Sequence, residues 1–144
     1  MGTFEVVRTA RAHRSRVFAV VSDFGSHGEF IPLTRMETDA GSPGPGWRFV
    51  GRSGLGPLAL VDRMEVTVWE PDRHFRVDKR GPALDGWAEV HLSEDGPFTR
   101  LVWREEIVPR PAVLGSRLGP LLDPVNRWMF GRALDRMVRR AEQG

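Results

Sequence analysis

The chain has 144 residues, 40% of them apolar and 28% charged, with a formal net charge of +2 and no cysteine. That length suits a single domain, 1–144, able to bury most of its apolar surface unaided, and the missing cysteines exclude disulfides, thiolate catalysis and cysteine-containing zinc sites. No window approaches about 18 consecutive apolar residues, and no basic segment followed by an apolar run opens the chain, so a soluble cytoplasmic protein without a membrane span is expected.

Phe4, Val6, Arg8 and Ala10 alternate with Glu5, Val7 and Thr9, the period of a strand. A helix over 13–23 follows, its stripe formed by Val17, Phe18, Val21 and Phe24 and its stop by Gly25. GSHGEFIP is too short for a full helix and reads as a turn or single helical turn, closed by Pro32 and anchored by Phe30 and Ile31. From Leu33 the punctuation changes. Gly and Pro clusters at 41–46, 54–57, 81–86 and 95–97 separate expected strands near 34–39, 47–53, 58–70, 74–80, 86–93 and 99–108, seven in all with the first. Links this short join antiparallel neighbours, because parallel pairs need long crossovers. Residues 110–119 read as a connector into an amphipathic helix over 120–143. Leu122, Met129, Phe130, Ala133, Leu134, Met137, Val138 and Ala141 share its apolar half, and Asn126 lies among them.

The order of elements predicts an α+β fold in which a seven-stranded, curved antiparallel sheet wraps around one long C-terminal helix, with two short helices between strands 1 and 2. A single helix cannot fill the concavity of so large a twisted sheet, so a cavity between helix and sheet is a physical expectation.

In this arrangement the chain resembles the START-like, or SRPBCC, superfamily, and within it the polyketide cyclase/dehydrase and lipid-transport group with the helix-grip fold. The resemblance runs over essentially the whole chain: the first strand leading into ARAHRSRVFAVVSDFGSHGEFIP, VTVWEPDRHFRV in mid-chain, TRLVWREEIVPRP, and the terminal helix. Asp23, Phe24, Phe30, Ile31 and Pro32 match positions typical of the group, while Ala12 and His13 stand where many members carry a small residue and proline. These motifs specify scaffold rather than chemistry; the superfamily includes cyclases, hydrolases, hormone and lipid binders, chaperone activators and ribosome-associated proteins, so function carried over from it is analogy.

Pointing the larger apolar side chains of each strand at the helix puts Trp47, Phe49, Met64, Val66, Phe75, Val90 and Trp103 on the inner face. Phe30, Met129 and Phe130 complete the expected ligand-binding wall. The weakest parity is that of 86–92, where Trp87, Glu89 and His91 form the opposite face. The same rule brings Asp62 and Glu105 inward, and Arg8 as a possible partner for either. A buried carboxylate must pair with a cation or hold its proton. With Asn126 they give an apolar pocket with a few convergent polar groups, the usual form of a small-molecule site. Plainer readings stand beside these: strand-end twist can turn Asp62 and Glu105 to solvent, Asn126 can bond nearby backbone, and Arg8 can face outward.

His91 is a candidate general base set against an ordinary surface histidine. His13, His27 and His74 fall at element ends and read as exposed. The four histidines lack ligand spacing along the chain, so no metal and no cofactor is expected. GSPGPGW has no lysine for a phosphate loop, and GRSGLG lacks the spacing of a nucleophile elbow. The expected function is therefore binding of a hydrophobic small molecule of lipid, isoprenoid or polyketide type, with cyclase or dehydratase chemistry as an extension and a monomer or homodimer as the working state. The other class of function is an interaction module. It would use Arg132, Arg136, Arg139 and Arg140 at the helix end, and Arg48, Arg52, Arg63 and Arg76 on the sheet exterior, to contact a protein or ribosomal RNA. Against nucleic acid stands the near-neutral balance: a pI of about 10.3 reflects twenty Arg, one lysine (Lys79) and no Tyr or Cys rather than a large excess of positive charge.

Overall fold

The computed structural model describes residues 3–54, 59–110 and 112–143, with side chains described for 3–54, 59–110 and 124–143. Alternation in the sequence becomes strand. β1 (Thr3–Ala10) buries Phe4, Val6 and Ala10 on one face and leaves Glu5, Val7 and Thr9 in solvent. The chain then turns into α1 (Arg14–Val21), where the His13 ring stands in for a conventional cap by accepting a hydrogen bond from the Ser15 amide. A 3-10 helix over Phe24–Glu29 follows. Six further strands run as a meander: β2 (Thr34–Thr38), β3 (Arg48–Ser53), β4 (Leu60–Glu70), β5 (His74–Pro82), β6 (Leu84–Asp95) and β7 (Phe98–Pro109). The last element is α2, Ala112–Gln143.

All pairings are antiparallel, in the spatial order β1-β7-β6-β5-β4-β3-β2. β1 and β2 thus sit at opposite edges of one seven-stranded sheet, and α1 with the 3-10 helix carries the chain between those edges. The uncertain parity of 86–92 resolves with Ala88, Val90 and Leu92 buried inside, and Trp87 and His91 on the other face.

Two boundaries differ most from the sequence reading: the expected break at 81–86 shrinks to Ala83, because β5 runs to Pro82 and β6 starts at Leu84, and the start of α2 moves earlier. Residues 112–119 are helical and continuous with α2, not a connector. Proline inside a helix forfeits one ladder bond and costs about 3 kcal/mol, so Pro120 reads naturally as a first-turn residue. The strong helix formers Ala112, Leu114 and Leu118 nevertheless carry the helix ahead of it. The expected start of β4 at 58 and the side chain of Leu122 lie outside the described residues.

α2 packs on β1, β7 and α1, which is one flank of the concave sheet. Ala133, Leu134, Met137 and Ala141 of α2 are sealed there, each at most 2% exposed, against a core that includes Phe18, Phe75, Val90 and Leu101. The rest of the concave face, beyond the reach of the helix, is where space remains.

Candidate functional site

That space is a cavity of about 480 Å³ between α2, the 3-10 helix and the inner faces of β2 to β7. Its wall is mainly apolar: Phe24, Phe49, Met64, Phe75, Trp103, Met129 and Phe130, among others. Aromatic contacts brace it from behind. Phe24 stacks on Phe49 with centroids 4.5 Å apart, and Trp103 stacks on Phe130 at 6.0 Å.

Set into this wall is an ionic cluster. β5 alternates Phe75, Val77, Lys79 on its inner face, and the third of these is the chain's sole lysine. Lys79 Nζ donates to Asp62 Oδ2 at 2.7 Å and lies 3.5 Å from Glu105 Oε2. The Trp103 indole donates to Glu105 Oε1 at 2.9 Å. The two carboxylates come from β4 and β7, on either side of β5 and β6, and a register shift separates Asp62 from Met64, the register partner of Lys79. Glu105 is 2% exposed and the Lys79 side chain 5%, so the charges meet where water cannot screen them.

Burial raises the Glu105 pKa, opposed by Lys79 and the Trp103 hydrogen bond; the net direction is up, towards the protonated acid. Burial alone would lower Lys79. The negative charges of Glu105 and Asp62 outweigh it and hold the ammonium above its ordinary value. Asp62 Oδ1 is buried without a hydrogen-bond partner among the described residues, an acceptor left open at the cavity wall. The cluster therefore presents a fixed cation, an unused acceptor and a carboxyl whose pKa burial raises.

Of the residues expected to bind ligand, Phe49, Asp62, Met64, Phe75, Trp103, Glu105, Asn126, Met129 and Phe130 line this cavity. Four sit elsewhere. Val66 and Val90 are wholly buried in the sealed core. Trp47 backs the wall from behind Phe24 and Phe49, its indole donating to the Ala40 carbonyl. Phe30 packs under the Arg140 guanidinium, 4.5 Å above its ring, away from the cavity. Arg8 is not the partner of either carboxylate, for it pairs with Asp135 of α2 at 2.6 Å. The cation is Lys79, and its signal was available, since it continues the inward parity of Phe75 and Val77.

His27 was the other residue missed. It is 7% exposed and lines the cavity, with Nε2–H donating to the Val21 carbonyl at 2.9 Å. Burial lowers its pKa, only partly offset by that hydrogen bond and by Asp23. A 3-10 helix that folds back over the sheet buries side chains that an open turn would expose, which chain order alone does not reveal. At the cavity rim Arg110 forms a two-pronged pair with Asp85, both contacts 2.6 Å. Elsewhere on the exterior, Arg52, Arg76 and Arg140 are paired with Glu37, Asp78 and Glu29.

A curled antiparallel sheet gripping a long helix around an internal cavity defines the helix-grip class. The profile of the polyketide cyclase/dehydrase and lipid transport family matches residues 1–142, and the chain belongs to that family. Solved structures agree in fold. The Zhui aromatase/cyclase from a Streptomyces species superposes with a TM-score of 0.77 at 17% identity, covering 98% of this chain and 93% of that one. The di-domain ARO/CYC StfQ of the steffimycin biosynthetic pathway gives 0.80 at 14% identity, with 99% of this chain covering 51% of that one. A Thermus thermophilus protein gives 0.78 at 14% identity, with 96% of each chain covered. At such identities the likeness is one of fold alone. No curated protein sequence matches the chain. Among the described residues no helix is long and apolar enough to cross a membrane.

Proposed function

We propose that the chain binds a hydrophobic small molecule of lipid, isoprenoid or polyketide type in the cavity, with the polar end of the ligand held at Asp62, Lys79 and Glu105. The observation that carries this reading is the placement of one buried ionic cluster in a mainly apolar wall. A cavity of about 480 Å³ falls within the range of about 300–1,000 Å³ common to small-molecule sites. A buried cluster of three charged groups is costly to keep for stability alone.

Family membership and the aromatase/cyclase neighbours support an extension to cyclase or dehydratase chemistry on a carbonyl chain. In that extension Lys79 would polarise a ketone, and Asp62 would take the proton from the carbon beside it. The electrons of the broken C–H bond form the C=C bond as the β C–O bond breaks. Glu105 gives its proton to the departing hydroxyl, which leaves as water. Lys79 lies between the two carboxyls and would relay a proton from Asp62 to Glu105 to restore the starting state. Walls of Met64, Met129 and Phe130 adapt to the ligand and exclude bulk water.

Native mass spectrometry of the purified protein tests the binding claim. Co-purification of a small hydrophobic molecule, released on unfolding, is the expected result. A cavity that stays empty against a broad panel of lipids and polyphenols would overturn it. Asn126→Leu sharpens the test, because among the described residues of α2 Asn126 is the polar group that lines the cavity. If Asn126 orients ligand, affinity falls by about tenfold, the worth of one hydrogen bond of about 1.4 kcal/mol, while the melting temperature holds or rises. Unchanged affinity would remove Asn126 from the site.

A further inference from the structure

On the convex side of the sheet, opposite the cavity, β5 and β6 bring together groups that are far apart in sequence. His74 and His91 are register partners, and their rings stack at 4.0 Å between centroids with only 12° between planes. Glu89, one outward position before His91 on β6, reaches both rings: its Oε2 lies 3.5 Å from His74 Nε2 and its Oε1 lies 3.7 Å from His91 Nε2. The three ligand atoms all fall within 4.8 Å of one another. Spacing along the chain hides this set, because antiparallel pairing across a tight turn is what assembles it.

We propose that His74, Glu89 and His91 form a binding site for a divalent transition-metal ion of the zinc type. Three observations point the same way. The first is distance. An ion held tetrahedrally by nitrogen and oxygen at about 2.0–2.2 Å keeps its ligand atoms about 3.3–3.6 Å apart. One ligand atom from each residue already lies within 4.8 Å of the others, and because the near-parallel rings do not aim both lone pairs at one point, rotation of the exposed His91 ring closes the set. The second is the direction of the His74 lone pair. The Glu70 carboxylate lies 3.4 Å from His74 Nδ1 and takes the ring N–H from that side. In the neutral ring this leaves Nε2 with a lone pair aimed at another acceptor, the Glu89 carboxylate. His74 Nε2 is buried and has no hydrogen-bond partner among the described residues. Two facing acceptors call for a positive charge between them, and a carboxylate behind the ring is the usual second partner of a metal-bound imidazole. The third is access. The His91 side chain is 50% exposed while Glu89 is 14% exposed, so an ion has both an entry path and a partly desolvated anchor. A water would fill the fourth position.

One group competes. Arg104 Nη1 lies 3.6 Å from Glu89 Oε1 and shares that carboxylate. Removing Arg104 would free that carboxylate oxygen for an ion.

Chelator-treated protein is titrated at neutral pH with Zn²⁺ by calorimetry and with Co²⁺ by visible absorption. Saturation at one ion per chain, a Co²⁺ spectrum of low coordination number and a rise in melting temperature with Zn²⁺ are expected. His91→Ala, at an exposed position with little effect on the fold, abolishes binding. Glu70→Ala weakens it by about tenfold through loss of the second partner, Arg104→Ala tightens it, and His13→Ala leaves it unchanged. The proposal is overturned if His91→Ala binds Zn²⁺ like the parent, or if binding saturates only at millimolar metal. A third overturning result comes from nitrogen NMR: a His74 ring that stays doubly protonated between Glu70 and Glu89 in excess Zn²⁺, since a proton then supplies the charge.

Discussion

The inner face of the sheet has two halves built on one parity, and they differ in what burial costs them. In the sealed half, Val66, Val90 and Leu101, with Phe75 at the boundary where its ring also lines the cavity, belong to the core that Ala133, Leu134, Met137 and Ala141 of α2 close. Moving two to four residues along the same strands, those positions become Met64 and Asp62, Lys79, Ala88, and Trp103 and Glu105, and the facing helix offers Asn126, Met129 and Phe130 around open space. Strand geometry is the same in both halves. The difference is whether the helix packs tightly on the sheet or stands off around open space, and the polar residues appear where it stands off.

The largest expected effect comes from breaking the cluster in the open half. Lys79→Met leaves Asp62 and Glu105 buried without their cation and should cost about 3–5 kcal/mol, read from urea denaturation at neutral pH. The triple variant Asp62→Leu/Lys79→Met/Glu105→Leu should recover most of that stability, because a well-packed apolar set often equals or exceeds a buried ionic one. It should also lose ligand binding. A Lys79→Met protein as stable as its parent would mean that water reaches the cluster, and the contrast between the halves would collapse.

Next in size is truncation in the sealed half. Leu134 is 1% exposed, and Leu134→Ala should cost about 2–5 kcal/mol with unchanged ligand occupancy. Met64→Ala on the cavity wall removes atoms that already face open volume, and should cost about half as much or less while altering occupancy. Equal stability losses at the two positions would show that the cavity is closed in solution.

This division also explains what the sequence could and could not convey. Alternation in β1, the Gly and Pro punctuation from 41 to 97, and the apolar stripe of α2 are local signals, and the sheet, its antiparallel pairing and the gripping helix follow from them. The inward parity that placed Asp62 and Glu105 is local too. What the sequence withheld is how far along each strand the helix reaches. Val66 and Val90 share parity with cavity residues yet lie in the sealed half, and no periodicity distinguishes them. Arg8 has inward parity at the β1 edge, where α2 presents Asp135 rather than a sheet carboxylate. His27 and the pair of His74 with His91 depend on contacts made by folding back, a 3-10 helix over the sheet in one case and cross-strand register in the other.

The smallest effect is a pH dependence that separates the two titrating groups of the open half. His27 has a folded pKa below its ordinary 6.5 because burial disfavours the imidazolium. The unfolded chain therefore takes up this proton first, and the stability that His27 contributes is present above pH 6.5 and lost as pH falls through the folded value. Glu105 works in the other direction. Its folded pKa lies above its ordinary 4.5, so its contribution is present below 4.5 and lost as pH rises through the raised value. Between these limits acidification weakens the fold through His27 and strengthens it through Glu105, each by at most about 1.4 kcal/mol per pH unit. His27→Gln keeps a side-chain donor within reach of the Val21 carbonyl and removes the titration. Its denaturation midpoint should rise as pH falls from about 6.5 towards 4.5, and by more than the parent's. In His27→Gln/Glu105→Gln that rise should disappear. A parent and a His27→Gln variant with the same pH profile would place His27 in water, and with it the wall that the 3-10 helix builds over the cavity.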